Sequence, residues 1–529
     1  MLRYEKYFFH LMVLLALSII VIPKYYITGD GASHTYNAKV LFDMVLGQER
    51  AFYQEFYTVN RAIDPNWMSH ILIGGFLQFF PPWLADKLFQ ILYVLVFAYG
   101  FRALVRAANP NNAFLSLLFF PFVFNLPFQQ GFYNYVLALG LMFWTTALYI
   151  RQRLESPTPF FQLKISVLLL TTAFAHGMPA VYAMLIIGFI WLLDHYQLLL
   201  NPVRDKMLQE ISTLVLIFLP AAFFILLFMV KRGTGTEPHA WTYTQKLMAF
   251  FRGWTLQSTR HAEVYPAVGV GLTILGYTIW SLFHKDKVKM SGVGKVMLFM
   301  VGFTLFSYIT CPHSIGGAGS IDIRLAFLPW VFMLIYLAGR NWNSASRMIF
   351  TGLSFAIATC FLILRFPYVM QADRVGQEIM KAANFIPDKS VVLNLHMNDW
   401  HSRAEGDSLF QKDGSFIHFS DFAGAYQNKH LIMLMNYEAE INYFPVNWLS
   451  GKNPRESISG MIPGNYPPCG EVKDYEKQIG RKIDFILLQN LNAYSLQDSC
   501  VQAMLSGFRK DFYTFYQSRN KAGILLKRR

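Results

Sequence analysis

The sequence predicts a polytopic α-helical membrane protein that ends in a small α/β domain, and three observations carry that prediction. Of 529 residues, 54% are hydrophobic and only 15% charged, with a mean hydropathy of +0.32; a soluble globule carries about 25% charged residues. Apolar runs of about 20 residues recur before residue 366, the length a helix needs to cross a bilayer. Around Gln371 the composition turns to that of a water-soluble domain. The net charge of +14 does not point to nucleic acid, because Lys and Arg fall in short clusters between apolar runs, where they orient a chain in a membrane. Four cysteines exclude a disulfide scaffold, and no Cys/His spacing suggests a zinc site.

The first apolar run, 7–22, follows a basic start (Arg3, Lys6) and leads into Pro23-Lys24-Tyr25-Tyr26 with no small-residue cleavage site. It reads as an uncleaved first span with a cytoplasmic N-terminus. Further spans are read at 86–105, 113–127, 133–150, 165–177, 179–194, 208–230, 265–283, 293–311, 323–340 and 347–366, about eleven in all. The stretch 165–194 is too long for one helix and is broken by His176-Gly177-Met178-Pro179. Counted as two spans, it leaves every short cytoplasmic loop basic: Arg102 and Arg106, then Arg151, Arg153 and Lys164 with Arg204 and Lys206, then Lys285, Lys287 and Lys289, then Arg340 and Arg347. The opposite face receives 24–85, 231–265 and everything after Arg365. In that tail, Val391-Val392-Leu393-Asn394-Leu395, 482–488 and 523–526 read as strands, alternating with helical stretches near 372–385 and 496–509. The chain therefore divides into a transmembrane domain, 1–366, with its first outer loop at 24–85, and an extracytoplasmic α/β domain, 367–529. Cys469 and Cys500 both lie in the tail, where an oxidising compartment would let them pair. Cys311 and Cys360 read as buried span residues.

Polar residues collect on the outer face. The first loop opens with Thr28-Gly29-Asp30-Gly31-Ala32-Ser33-His34, just past the first span. Asp30 has two readings: the N-cap of a helix running from about Ala32 to Leu46, or a reactive carboxylate at headgroup depth. His34 is either its partner one helical turn on or a polar interfacial residue. Farther along the loop, Tyr53-Gln54-Glu55-Phe56-Tyr57 and Asp64-Pro65-Asn66-Trp67-Met68-Ser69-His70 have the aromatic enrichment of a segment lying in the interface, with Asp64 and His70 as site candidates. Gln129-Gln130-Gly131-Phe132-Tyr133-Asn134, then His176 with Pro179, and Ser314 through Arg324 complete the set. Arg324 stands out, because a cation at the membrane edge is costly without water or a counter-ion. It pairs with Asp322 or with lipid phosphate at large, or it grips the phosphate of one lipid-linked ligand. The glycines before it lack the spacing of a nucleotide-binding loop.

The arrangement resembles the glycosyltransferase-C (GT-C) superfamily, in particular bacterial members with a small C-terminal outer domain. The matching pieces are Gly29-Asp30-Gly31 with His34, Gly131-Phe132-Tyr133-Asn134, His176 with Pro179, Asp322-Ile323-Arg324, and Asn436-Tyr437-Glu438-Ala439 leading to Tyr443-Phe444-Pro445. The resemblance implies an inverting transfer of a sugar from a polyprenyl-phosphate carrier to a glycan or lipid acceptor, in the inner membrane of a bacterium. It casts Asp30 and His34 as catalytic, and Arg324, Asp322, Asn134, His176, Asp64 and His70 as substrate-binding. Members that bind a metal often show Asp-Asp or Asp-x-Asp in the first loop. Here Asp30 has a glycine on either side, so a divalent ion is left open but not favoured. The competing classes are a transporter or flippase, against which the near absence of ionisable groups inside the spans speaks, and an envelope-assembly protein that has lost its activity.

Overall fold

A computed structural model describes residues 5–47, 49–153, 159–201, 203–232, 235–237, 241–283, 292–315, 319–397, 415–454, 472–491 and 495–529. Among these, eight helices are long and apolar enough to cross a membrane: Pro82–Ala108, Tyr133–Gln152, Gly177–Asp194, Arg204–Lys231, His261–Phe283, Gly292–Thr310, Ile321–Ala338 and Ser344–Ala383. The other three apolar runs of the sequence form shorter elements. The first is the helix Glu5–Val21. The second, Pro110–Phe122, is a tight 3₁₀ helix with Pro121 inside it and a non-helical Asn112 near its start. The third, Pro159–Ala175, ends where His176 turns extended and caps Gly177–Asp194, so 165–194 is two helices. Their ends follow from the local chemistry: the His176 side chain accepts from the Met178 amide, satisfying a donor that a helix start leaves open. Pro220 and Pro367 sit inside membrane-length helices, a placement that neighbouring helices and local adjustments make tolerable in lipid.

The chain forms two compact units. One comprises Met1–Leu17, Leu92–Phe128 and Tyr133–Leu364. The other comprises Ser18–Ile91, Gln129–Phe132 and Arg365–Arg529. In this second unit the first loop and the tail fold as one body. Its centre is a five-stranded sheet in the order Ile432–Met433, Val391–His396, Phe485–Gln489, Gly523–Arg528, Phe512–Gln517. The first three strands are parallel and the last two pair antiparallel. Val391–His396 and Phe485–Gln489 are buried along their whole length, as continuous apolar runs in parallel strands should be. A second, two-stranded pairing sets Tyr57–Val59 antiparallel to Val446–Trp448. No local spacing announces that pairing, which joins the first loop to the tail.

Cys500 is disulfide-bonded, while Cys469, its expected partner, lies outside the described residues. Cys311 and Cys360 are free, and Cys360 is exposed on its helix rather than buried as expected. Lys285, Lys287, Lys289 and the glycine-rich 316–318 also lie outside the described residues.

Candidate active site

Gly31–Leu46 is a helix that ends at Gly47 in the left-handed region, and Asp30 is the residue just before it. The Asp30 side chain makes no capping bond to that helix. Its place is set instead by the backbone: the Gly29 amide donates to the Gln129 carbonyl at 2.9 Å, and the Asp30 amide to the Gln130 carbonyl at 3.1 Å. Two glycines make this approach possible. A Cβ on Gly29 would stand 2.6 Å from the Gln130 carbonyl oxygen, and one on Gly131, at φ +84, would stand 2.4 Å from the Asp30 nitrogen. The motif pieces Gly29-Asp30 and Gly131 are thus two sides of one strap.

Around the Asp30 carboxylate, which is 19% exposed, stand two residues of the tail. His418 Nε2 is 3.9 Å away. Tyr437 hydrogen-bonds to the carboxylate, and burial together with the Asp30 and Glu438 charges keeps its phenol protonated, so it is the donor. The His418 and Tyr437 rings stack with centroids 4.0 Å apart. Asp421, fully buried beside them, accepts from Asn394 Nδ2 at 2.7 Å. Burial pushes its carboxyl well above the ordinary range, and the charges of Glu438 and Asp30 act in the same direction.

One turn into the helix, His34 is buried with its Nε2 3.0 Å from the Gly131 carbonyl and its Nδ1 2.6 Å from Glu438 Oε1. His70, on the helix Met68–Leu77, places its Nε2 2.8 Å from Glu438 Oε2. One buried carboxylate therefore serves two buried imidazoles. Burial alone would raise the Glu438 carboxyl, but the two histidines outweigh it and hold it down to about 2. Burial lowers both imidazoles; Glu438 overcomes this at His34, which is raised, and not at His70, which is lowered. We read the three as one coupled group. Asp64 is buried elsewhere in the first loop.

The remaining candidates belong to the other unit. Arg324 lies on Ile321–Ala326, the opening segment of the membrane-length Ile321–Ala338, with its guanidinium 5.9 Å from the centre of the Tyr135 ring. The Tyr135 hydroxyl donates to the Arg324 carbonyl. His176 meets the same ring edge-on at 5.3 Å. Arg324 and His176 therefore share a neighbour, as a sequence reading had no means of showing. Asp322 sits 3.2 Å from His313. Asn134 is buried in the first turn of Tyr133–Gln152. Sequence reasoning singled out Asp30, His34 and His70. It quoted Tyr437 and Glu438 only as part of a motif and missed His418 and Asp421, which are held to Asp30 by folding alone.

No protein-family model and no curated protein matches the chain. Among solved structures it is similar to ArnT from Cupriavidus metallidurans bound to undecaprenyl phosphate, with a TM-score of 0.53 and 9% identity over 98% of this chain and 97% of that one. It is similar also to the apo state of that ArnT, with a TM-score of 0.51 and 10% identity over the same shares. At such low identity the likeness speaks for the fold alone: the chain shares the overall fold of ArnT, with membrane-length helices and a small C-terminal sheet region.

Proposed function

We propose that this protein is a membrane glycosyltransferase that moves a sugar from a polyprenyl-phosphate carrier to an acceptor hydroxyl, with Asp30 as general base. The observation that carries this reading is the Asp30 carboxylate itself: it stands at a helix start without capping it, held by a two-glycine strap and still open to solvent. In the step envisaged, the acceptor oxygen attacks the anomeric carbon as its proton passes to Asp30. The bond between that carbon and the phosphate oxygen breaks, and polyprenyl phosphate leaves with the electron pair. The leaving group is already an anion and needs no proton. Tyr437, a hydrogen-bond donor to Asp30, fixes the direction of the carboxylate. His34, engaged with Gly131 and Glu438, positions the strap rather than touching the reacting atoms. The undecaprenyl phosphate bound by the similar ArnT supports a polyprenyl-phosphate partner. Arg324 keeps, on sequence grounds, the proposed role of phosphate ligand, and Arg324→Lys tests it separately by weakening undecaprenyl phosphate binding without loss of folding.

The test is release of undecaprenyl phosphate from a panel of undecaprenyl-phosphate-linked sugars by the purified chain in lipid. Asp30→Asn preserves shape and removes basicity, so turnover falls by roughly 10²–10⁴-fold while undecaprenyl phosphate still binds. Parent-like turnover in Asp30→Asn would end the base assignment. We place the N-terminus in the cytoplasm and 367–529 outside the inner membrane, from the basic loops. A reporter active only in the cytoplasm stays silent when fused after Arg529; a bright signal there reverses the orientation.

A further inference from the structure

The second unit holds one more arrangement, of which the transferase reading uses only the contacts of His34. One ring nitrogen of His34, one of His70 and an oxygen of Glu438 all lie within 4.8 Å of one another, and all three residues are buried. The outer nitrogen of each ring is anchored on a backbone carbonyl, that of His34 on Gly131 at 3.0 Å and that of His70 on Asn66. A carbonyl oxygen only accepts, so both outer nitrogens carry the hydrogen and both inner nitrogens of the neutral rings present lone pairs. Those lone pairs face the two oxygens of one carboxylate, at 2.6 and 2.8 Å. Two rings and a carboxylate converging on one point, away from water, call for a cation among them, a proton or a metal ion.

We propose that His34, His70 and Glu438 bind a divalent transition-metal ion of the zinc type. Two imidazole nitrogens and one carboxylate oxygen are a known zinc donor set, with a fourth position left for water or the second Glu438 oxygen. Metal–ligand distances of about 2.0–2.1 Å in a tetrahedron put ligand atoms about 3.4 Å apart, inside the 4.8 Å within which one atom of each residue already lies. The anchoring of each ring on a carbonyl is the outer-shell support that metal-binding histidines use to fix tautomer and direction. The ligands come from distant parts of the chain: His34 and His70 from the first loop, Glu438 from the tail. The ion is therefore a staple. It ties the helix that follows Asp30, and the residue that follows Tyr437, into one frame. The proposal is independent of what the protein transfers.

The experiment uses the full chain purified in detergent, with elemental analysis as isolated and then titration with Co²⁺ after chelation. One equivalent of metal is expected on the isolated protein, and Co²⁺ should give the strong visible bands of a low-coordinate site, bleached by added Zn²⁺. His70→Gln and Glu438→Gln should weaken Co²⁺ binding by more than the roughly 10–100-fold that loss of an outer-shell partner costs. Should those variants not fold, the parent decides alone: Zn²⁺ raises its unfolding temperature after chelation, and excess chelator reverses the rise. Metal-free parent protein with no Co²⁺ bands would overturn the proposal and leave a proton-shared His–Glu–His group. Bands that persist in folded Glu438→Gln would overturn it too. None of these readouts depends on turnover, so an inactive preparation with a loaded site separates this proposal from the transferase reading.

Discussion

Two helices of similar regularity behave in opposite ways. Gly31–Leu46 buries 13 of its 16 residues, among them Ser33, His34, Thr35, Asn37, Lys39 and Asp43. Arg204–Lys231, far more apolar, buries only Ile217, Ala221 and Ile225. In water the order would be reversed, because apolar surface is driven inward. In a bilayer the lipid is the solvent for the apolar helix, and its side chains gain little by leaving it. The polar helix has no such solvent. Each of its buried groups must find a partner inside its own unit, and for His34 that partner is Glu438 of the candidate site.

The largest effect expected from this contrast is at the strap. Gly131→Val places a branched side chain at φ +84 and a Cβ against the Asp30 backbone, neither of which can yield without moving the other. A displacement of about 1 Å at a reacting group costs on the order of 10² in rate. Turnover should therefore fall at least that far with the helical content unchanged, as circular dichroism in detergent will show. Activity that survives in Gly131→Val would mean that Asp30 is not held by this backbone contact.

Much of this was legible in advance, and the reason is local. Spans show as apolar runs, the break at His176 as a glycine and a proline, and Asp30 as an acid wedged between glycines just beyond a span. The strands Val391–His396, Phe485–Gln489 and Gly523–Arg528 also declare themselves by composition. What stayed hidden is long-range. His70 meets Glu438 across 368 positions, and Asn37 meets Asn436 across 399. No spacing rule reaches that far. His418 carries no local mark at all, since a single histidine before an aromatic run looks like any other. The 3₁₀ form of Pro110–Phe122 was hidden for another reason: its composition is that of a span, and only the backbone departs.

The next effect tests pairing in the buried polar helix. Asn37 and Asn436 exchange amide hydrogen bonds at 2.8 and 2.9 Å, each 1% exposed. Asn37→Leu strands the Asn436 amide, at a cost of about 1–3 kcal/mol. Adding Asn436→Leu should recover part of that loss, because the amide deprived of its partner is then removed as well. Thermal unfolding of the two single variants and the double variant gives the coupling. Strict additivity would mean that the pair contributes nothing as a pair.

A pH-dependent effect follows from Asp421. Its carboxyl is raised well above the ordinary range by burial, with the Glu438 and Asp30 charges adding to it, so the folded chain holds a proton that the unfolded chain gives up near pH 4. The unfolded state then binds fewer protons, and stability falls as pH rises from about 4 to the folded-state value, by up to about 1.4 kcal/mol per pH unit. Asp421→Asn keeps the neutral shape and removes this dependence. Unfolding temperatures of parent and variant should diverge as pH rises above 4 and converge below it. Parallel curves would show that Asp421 is ionised in the folded protein.

The smallest effect completes the contrast on the apolar helix. Leu226, on Arg204–Lys231, is 58% exposed. Truncating a leucine in a packed core costs about 2–5 kcal/mol, because burial is lost and a cavity remains. Neither term applies where lipid tails stand against the side chain and flow into the space it leaves. Leu226→Ala should therefore change stability in lipid by no more than about 0.5 kcal/mol, the range of substitutions away from any packed feature. Unfolding measured in bilayer nanodiscs, rather than detergent, is the right comparison, since the argument concerns lipid as solvent. A cost of 2 kcal/mol or more would mean that this face packs against protein, such as a second copy of the chain. The low burial of Arg204–Lys231 would then mark an interface instead of a lipid-facing surface, and apolarity and burial would no longer run in opposite directions in these two helices.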